Sequence, residues 1–288
     1  MTALEAYEVY AVKYARNDRP RRSDVFLGGD PHDGPMPLDY FIWVVRNRQR
    51  TYVVDLGFQD EVARRRGRTL TRSPTEALAC VGLDGDSVRE VLITHLHFDH
   101  AGSLDAFPQA RIHVQRREMN FVTSSCMCHA SIGGHYEEED VVQMVRRIFR
   151  GKVSFHCGDE EIAPGISVHH IGGHTDGLQV VRVWTARGWL VLASDAAHFY
   201  ANIFERRPFT WTYNVGDHLL GLGRLAELAE SWDHIVPGHD PLVMAQYSAP
   251  TPDLEGIVVR LDVEPKFSVL EKYPGFDPAV FDRVPGGK

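Results

Sequence analysis

The chain has 288 residues, 43% of them hydrophobic, and a formal net charge of −8, which allows a sizeable core but has the wrong sign for nucleic acid or an anionic membrane surface as the main partner. Residues 1–10 carry two glutamates and no apolar run, and Phe41–Val45 and Trp189–Ala193 fall far short of the roughly 20 residues that span a bilayer, so the expectation is a cytoplasmic protein without a membrane partner, acting on a small molecule. Cys80, Cys126, Cys128 and Cys157 are too sparse for a disulfide framework and are read as reduced.

No repeat or low-complexity stretch divides the chain, and one domain over residues 1–288 is the simplest organisation. Residues 6–14 alternate as a strand does, and residues 15–38, rich in Arg, Asp, Gly and Pro, are expected to be a loop that covers a site or packs on a second subunit as a homodimer. Tyr40–Asn47 and Thr51–Asp55 read as a hairpin about Arg48-Gln49-Arg50. Ser73-Pro74-Thr75-Glu76 is a helix start with a capping box. Val88–Thr94 is a buried strand that ends where a histidine cluster begins.

Arg111–Gln115 reads as a strand, residues 124–137 as an irregular insertion suited to specificity, and Glu138–Arg150 as a helix with acids at its start and arginines at its end. Strands follow at Lys152–Cys157, Ile166–Ile171, Gln179–Thr185, Trp189–Ser194 and His234–Pro237, with an amphipathic helix over Gly216–Ser231 and a proline-bearing strap over residues 249–288. Two groups of strands, each followed by helix, predict two sheets face to face with helices outside. The short arginine runs Arg64-Arg65-Arg66 and Arg19, Arg21 and Arg22 are read as solvated surface. Phe41, Trp43, Phe199, Phe209 and Trp211 are expected in the core, although Phe98 and Phe199 stand close enough to the histidines to line a site.

The chemistry is concentrated in Thr94-His95-Leu96-His97-Phe98-Asp99-His100-Ala101-Gly102, where three histidines and an aspartate fall within six positions. Neutral imidazole and carboxylate are the ligands that zinc and similar divalent ions take outside thiolate sites, and this supply suggests two ions. His174 in Gly-Gly-His-Thr-Asp-Gly, Asp195 at the end of a strand and His239 in Pro-Gly-His each stand at a strand exit, where loops converge.

In order and context these motifs resemble the metallo-β-lactamase superfamily over residues 38–240. The resemblance implies an α/β fold of α+β type, a four-layered αββα sandwich, with two Zn²⁺ per chain, or Fe, Mn or Co in their place. His95, His97 and His174 would ligate one ion, Asp99, His100 and His239 the other, and Asp195 would bridge them, while Asp55 in Asp-Leu-Gly supports the metal loop. The wording of His97–Gly102 and of Gly173-His174-Thr175 is closest to the N-acyl homoserine lactonase group, which implies a quorum-quenching lactonase that opens a lactone by attack of a metal-bridging hydroxide. Asp99 would orient that nucleophile.

One departure stands out. That group often carries tyrosine three residues after the bridging aspartate, and here the position is His198, with Tyr200 two residues on, so His198 and Tyr200 are the candidate donors to the substrate carbonyl. Another ring, such as a pyridoxine-derived lactone or a cyclic amide, and a thioester are the alternative substrates. Only 49 residues follow His239, fewer than the helical domain that glyoxalase-type thioesterases add. A non-catalytic module stapled by its metals is the remaining alternative; a structural site is usually one closed tetrahedral ion.

Overall fold

The computed structural model describes residues 4–279; the first residues of the chain and the end of the expected strap lie outside the described residues. Alternation decides the layers. In strand β1 (Glu8–Asn17) and β2 (Leu38–Arg46), Val9, Ala11, Phe41, Trp43 and Val45 point toward a second sheet, while Tyr10, Val12, Tyr14, Tyr40, Ile42 and Val44 point the other way, toward helices. Both faces are buried, which is why these strands read as almost continuous apolar runs.

Strands β3 (Thr51–Val54), β4 (Thr69–Leu70), β5 (Glu90–Leu92), β6 (Arg111–Gln115), β7 (Val153–His156) and β13 (Val258–Arg260) complete the first sheet, in the order β13-β1-β2-β3-β5-β6-β7 with β4 on β1. The second sheet holds β8 (Glu160–Ala163), β9 (Ile166–His170), β10 (Gln179–Thr185), β11 (Gly188–Ser194) and β12 (Ile235–Pro237), in the order β12-β11-β10-β9-β8. Strands β3, β5, β6 and β7 run parallel, so their C-terminal ends share one edge, and β12 joins β11 in parallel as well.

Helices α1 (Asp60–Arg66), α2 (Pro74–Ala79), α3 (Arg116–Val122) and α4 (Glu138–Phe149) accompany the first sheet; α5 (Tyr200–Phe204) and α6 (Val215–Leu228) follow strands of the second. The Ser73 capping box forms, with Glu76 N bonded to Ser73 Oγ and Ser73 N to Glu76 Oε2. No helix among the described residues is long and apolar enough to cross a membrane.

Three expectations change in detail. Strand β1 runs to Asn17 and residues Arg22–Val25 form a helical turn, so 15–38 is not loop throughout. The insertion holds a 3-10 turn at Ser125–Cys128 and a helical turn at Ala130–Gly133. The C-terminal segment contributes β13, which pairs Val258, Val259 and Arg260 with Val12, Ala11 and Tyr10. The four cysteines carry no disulfide.

Candidate metal centre and cleft

The chemistry-bearing side chains gather because strand ends do. His95, His97, Asp99 and His100 follow β5, His174 follows β9, Asp195 follows β11 and His239 follows β12. The helical turn Phe98–Ala101 folds Asp99 and His100 back beside His95, so one short stretch serves two places. Gly238 lets the His239 loop lie against the Asp195 loop, since a Cβ there would stand 2.8 Å from Asp195 Oδ1 and from the Ser194 carbonyl.

Two groups result. His95 Nε2 and His174 Nε2 each lie 3.0 Å from His97 Nδ1, and Asp195 Oδ2 lies 3.2 Å from His174 Nε2 and 3.7 Å from His95 Nε2. Asp195 Oδ1 turns to the second group, 2.9 Å from His239 Nε2 and 3.4 Å from His100 Nε2, and Asp99 Oδ2 is 3.6 Å from both imidazoles. Bonds of about 2.0–2.2 Å to one tetrahedral ion put its ligands roughly 3.3 Å apart, and these separations bracket that figure.

The donor set also needs a cation for a second reason. His97 Nδ1 stands 3.0 Å from two other imidazole nitrogens at once, more than its one lone pair or one proton can serve. His100 Nε2 and Asp195 Oδ1 are buried without a hydrogen-bond partner. The residues therefore fit a divalent-metal centre, with His95, His97, His174 and Asp195 in one candidate group and Asp99, His100 and His239 in another.

Outer contacts fix the rings. Asp55 accepts from Thr94 N and Thr94 Oγ1 at 2.8 Å each and meets His100 Nδ1 at 2.7 Å, which aims His100 Nε2 inward. His239 Nδ1 donates to the Asp39 carbonyl at 3.0 Å with the same effect. Burial, reinforced by His100 and His97, holds His95 well below the ordinary imidazole pKa. Burial also lowers His100, but Asp195, Asp99 and Asp55 outweigh it and raise that group well above its ordinary value. For Asp195 burial raises the carboxyl, yet His198, His239 and His100 prevail and lower it well below the usual range.

Sequence reasoning missed Glu118, on α3. Fully buried, it accepts from Leu96 N at 2.9 Å, Thr175 Oγ1 at 2.7 Å and Gly177 N at 3.1 Å, and so ties the His95–His97 loop to the His174 loop. A Cβ at Gly177 would meet Glu118 N at 2.1 Å, so only glycine lets the two backbones close. The signal was present: Glu118 shares a helix face with buried Phe121 and Val122, an odd place for an unpaired acid.

Beside the two groups lies a cleft with Leu38, Tyr40 and Phe98 along its walls, together with His135, His198, Phe209 and Trp211. His198 enters it, with Nε2 3.0 Å from Asp195 Oδ2 and its ring stacked on Phe209 at 3.5 Å. Tyr200 does not: it opens α5, its hydroxyl donates to Gln246 at 2.7 Å and its ring packs in the core, so the expectation that it reaches the substrate is corrected. Phe199 is buried away from the cleft, 6.4 Å from Phe209; Phe209 is buried in the core as expected and also lines the cleft, whereas Trp211, expected in the core, is 44% exposed and lines it. His135 of the insertion packs on Trp211 at 4.4 Å across the mouth.

Known proteins agree with this architecture. The family model of the metallo-beta-lactamase superfamily matches residues 36–249. An N-acyl homoserine lactonase from a Bacillus species is 30% identical over 162 residues, 56% of this chain and 59% of that protein, so the match spans less than two thirds of that relative. Acyl-coenzyme A thioesterase MBLAC2 of Gallus gallus is 26% identical over 218 residues, 69% of this chain and 71% of its own. Among solved structures, AidC, a dizinc quorum-quenching lactonase with product, superposes with a TM-score of 0.65 at 16% identity, over 92% of this chain and 97% of that one. With two sheets, flanking helices and a family match over most of its length, the chain belongs to the metallo-beta-lactamase superfamily.

Proposed function

We propose that this protein is a metal-dependent hydrolase that opens a lactone ring, an N-acyl homoserine lactone or a related cyclic ester, and thereby a cytoplasmic, quorum-quenching enzyme. The observation that carries the reading is the division of Asp195, one oxygen to each group of ligands, which favours two ions close enough to share a water. His95, His97 and His174 would hold one divalent cation and Asp99, His100 and His239 the other, zinc being the ion best suited to this donor set. When bound, such ions supply Lewis acidity, lowering the pKa of water to about 7 and polarising a carbonyl.

The chain's own groups do the rest. Asp99 orients the attacking water through the carboxylate oxygen it also offers as a ligand. His198, kept neutral by burial and held with Nε2 3.0 Å from Asp195 Oδ2, lines the cleft and would stabilise charge that develops on the carbonyl oxygen or on the departing alkoxide. Tyr40, Phe98, Phe209 and Trp211 give the cleft apolar walls that seat a compact ring and keep bulk water away. The small-molecule lactone is the partner.

The second reading, a thioesterase, is favoured by the longer match to the acyl-coenzyme A thioesterase. Acid release from a panel of lactones, cyclic imides, thioesters and β-lactams, with and without chelator, tests both. Chelator-sensitive turnover of lactones supports the proposal; turnover of thioesters alone replaces it with the second reading, and a metal-loaded chain inert on the whole panel refutes hydrolysis of either kind.

A further inference from the structure

The segment between β1 and β2 reaches the cleft through contacts that ring opening, as described, leaves unused. Asp30, whose side chain is 3% exposed, accepts from Arg22 Nε at 2.8 Å and from Arg207 Nη1 at 2.6 Å, across 177 residues of chain. Arg22 also donates to Glu205 at 2.7 Å, and Arg207 to the Gly29 carbonyl. Both guanidinium groups lie over the ring of Phe26, at 4.8 and 4.6 Å. Leu27 N bonds the Pro208 carbonyl and Thr210 N the Val25 carbonyl, each at 3.0 Å, so the backbone on either side of Phe209 is gripped by residues 25–27.

Phe209 then delivers this grip to the reacting groups. Its ring lies flat on His198, centroids 3.5 Å apart and planes within 4°. The terminal torsion of histidine is broad and nearly two-fold, so bonding within the residue does not set the ring's angle; the surface it lies on does. A ring turned off Phe209 would carry Nε2 away from Asp195 Oδ2, now 3.0 Å distant.

We propose that Asp30 and Phe209 are positioning residues for the lactone-opening reaction, the Asp30 clasp holding Phe209 and Phe209 holding the His198 imidazole at its working angle. The inference rests on the lactonase reading for its kinetic consequence but not for its geometry.

The test uses the full, metal-loaded chain with Asp30→Asn and Phe209→Leu, each alone and combined with His198→Ala, on the best lactone of the panel. Each single variant should lose about 10- to 100-fold in kcat, the scale of a small misplacement of a reacting group, with metal content intact and, for Asp30→Asn, which lies outside the cleft lining, KM nearly constant. In the His198→Ala background neither should lower the rate further, because the group they position is gone. Losses that multiply with His198→Ala, an unchanged kcat, or a fall in metal content would overturn the proposal.

A second measurement is independent of turnover. The face of Phe209 should move the His198 ring protons upfield, assigned by their absence in His198→Ala, and both variants should return them toward ordinary positions. If no lactone is opened, the lactonase reading fails, and the resonances still decide whether the clasp sets the ring: an upfield shift that survives Asp30→Asn refutes it.

Discussion

Replacing Glu118 by alanine probes the link between the two metal-bearing loops most directly. The substitution strands Leu96 N, Gly177 N and Thr175 Oγ1 in a site with no exposure. Each buried donor left without a partner costs about 1–3 kcal/mol, partly offset because a desolvated carboxylate is removed with it. That carboxylate is itself perturbed, its pKa raised by burial in spite of the bonds from Leu96, Thr175 and Gly177. A net loss of about 3–5 kcal/mol is therefore expected, the usual cost of breaking a buried charged group's contacts from one side. In a chain of this size that lowers the melting temperature by roughly 5–8 °C. Because Leu96 lies between His95 and His97 and Thr175 follows His174, metal affinity should also fall about 10- to 100-fold, as with other outer supports of ligands. Glu118→Gln, which keeps one acceptor oxygen, should fall between. Thermal unfolding with and without metal, and competition with a chromophoric chelator, read the two effects. A variant that melts early but binds metal as tightly as the parent would refute the claim that Glu118 positions the ligands.

His198→Ala should slow ring opening about 10²- to 10³-fold while sparing metal content, measured by steady-state kinetics and elemental analysis; unchanged kinetics remove His198 from the reaction. His100 and His239 both have raised pKa values in the metal-free chain, burial opposing and the neighbouring carboxylates prevailing, so binding must displace protons there. Calorimetry in buffers of different ionisation enthalpy should register net proton release near neutral pH and an affinity that falls as pH is lowered; no release would contradict this. Asp140 is pushed up to about 7, first by burial and then by Glu137, Glu139 and Asp105. Its folded value exceeds the unfolded one, so the folded state holds the extra proton between about pH 4 and 7 and stability declines as pH rises through that window. Asp140→Asn should remove that part of the decline in a melting series from pH 5 to 8, and an unaltered slope would count against it.

The layers and the ligand set were largely legible because both rest on local patterns. The apolar run of Leu38–Arg46 and the compressed spacing of His95 to His100 survive in any one stretch of sequence. What was not legible depends on rotation or on distance. Tyr200 lies two positions after His198, but it begins a helix and its amide is taken by Asp240, so the side chain swings into the core. Strand β8, Glu-Glu-Ile-Ala, is a half-exposed edge strand without an apolar face and gave no strand signal. Phe209 reads as core, and is, but only the fold brings it over His198, and the role of Arg22 outside the solvated surface needed Asp30 and Glu205 as neighbours.

The pairing of Val258–Arg260 with β1 has a consequence for handling the protein. Without that short strand, the amides and carbonyls of Tyr10–Val12 would face outward as a ready template for another copy's backbone. Clipping the chain after Ala249 would keep every imidazole of the metal centre yet invite sheet-to-sheet polymerisation, so the last strand protects solubility from a place remote from catalysis.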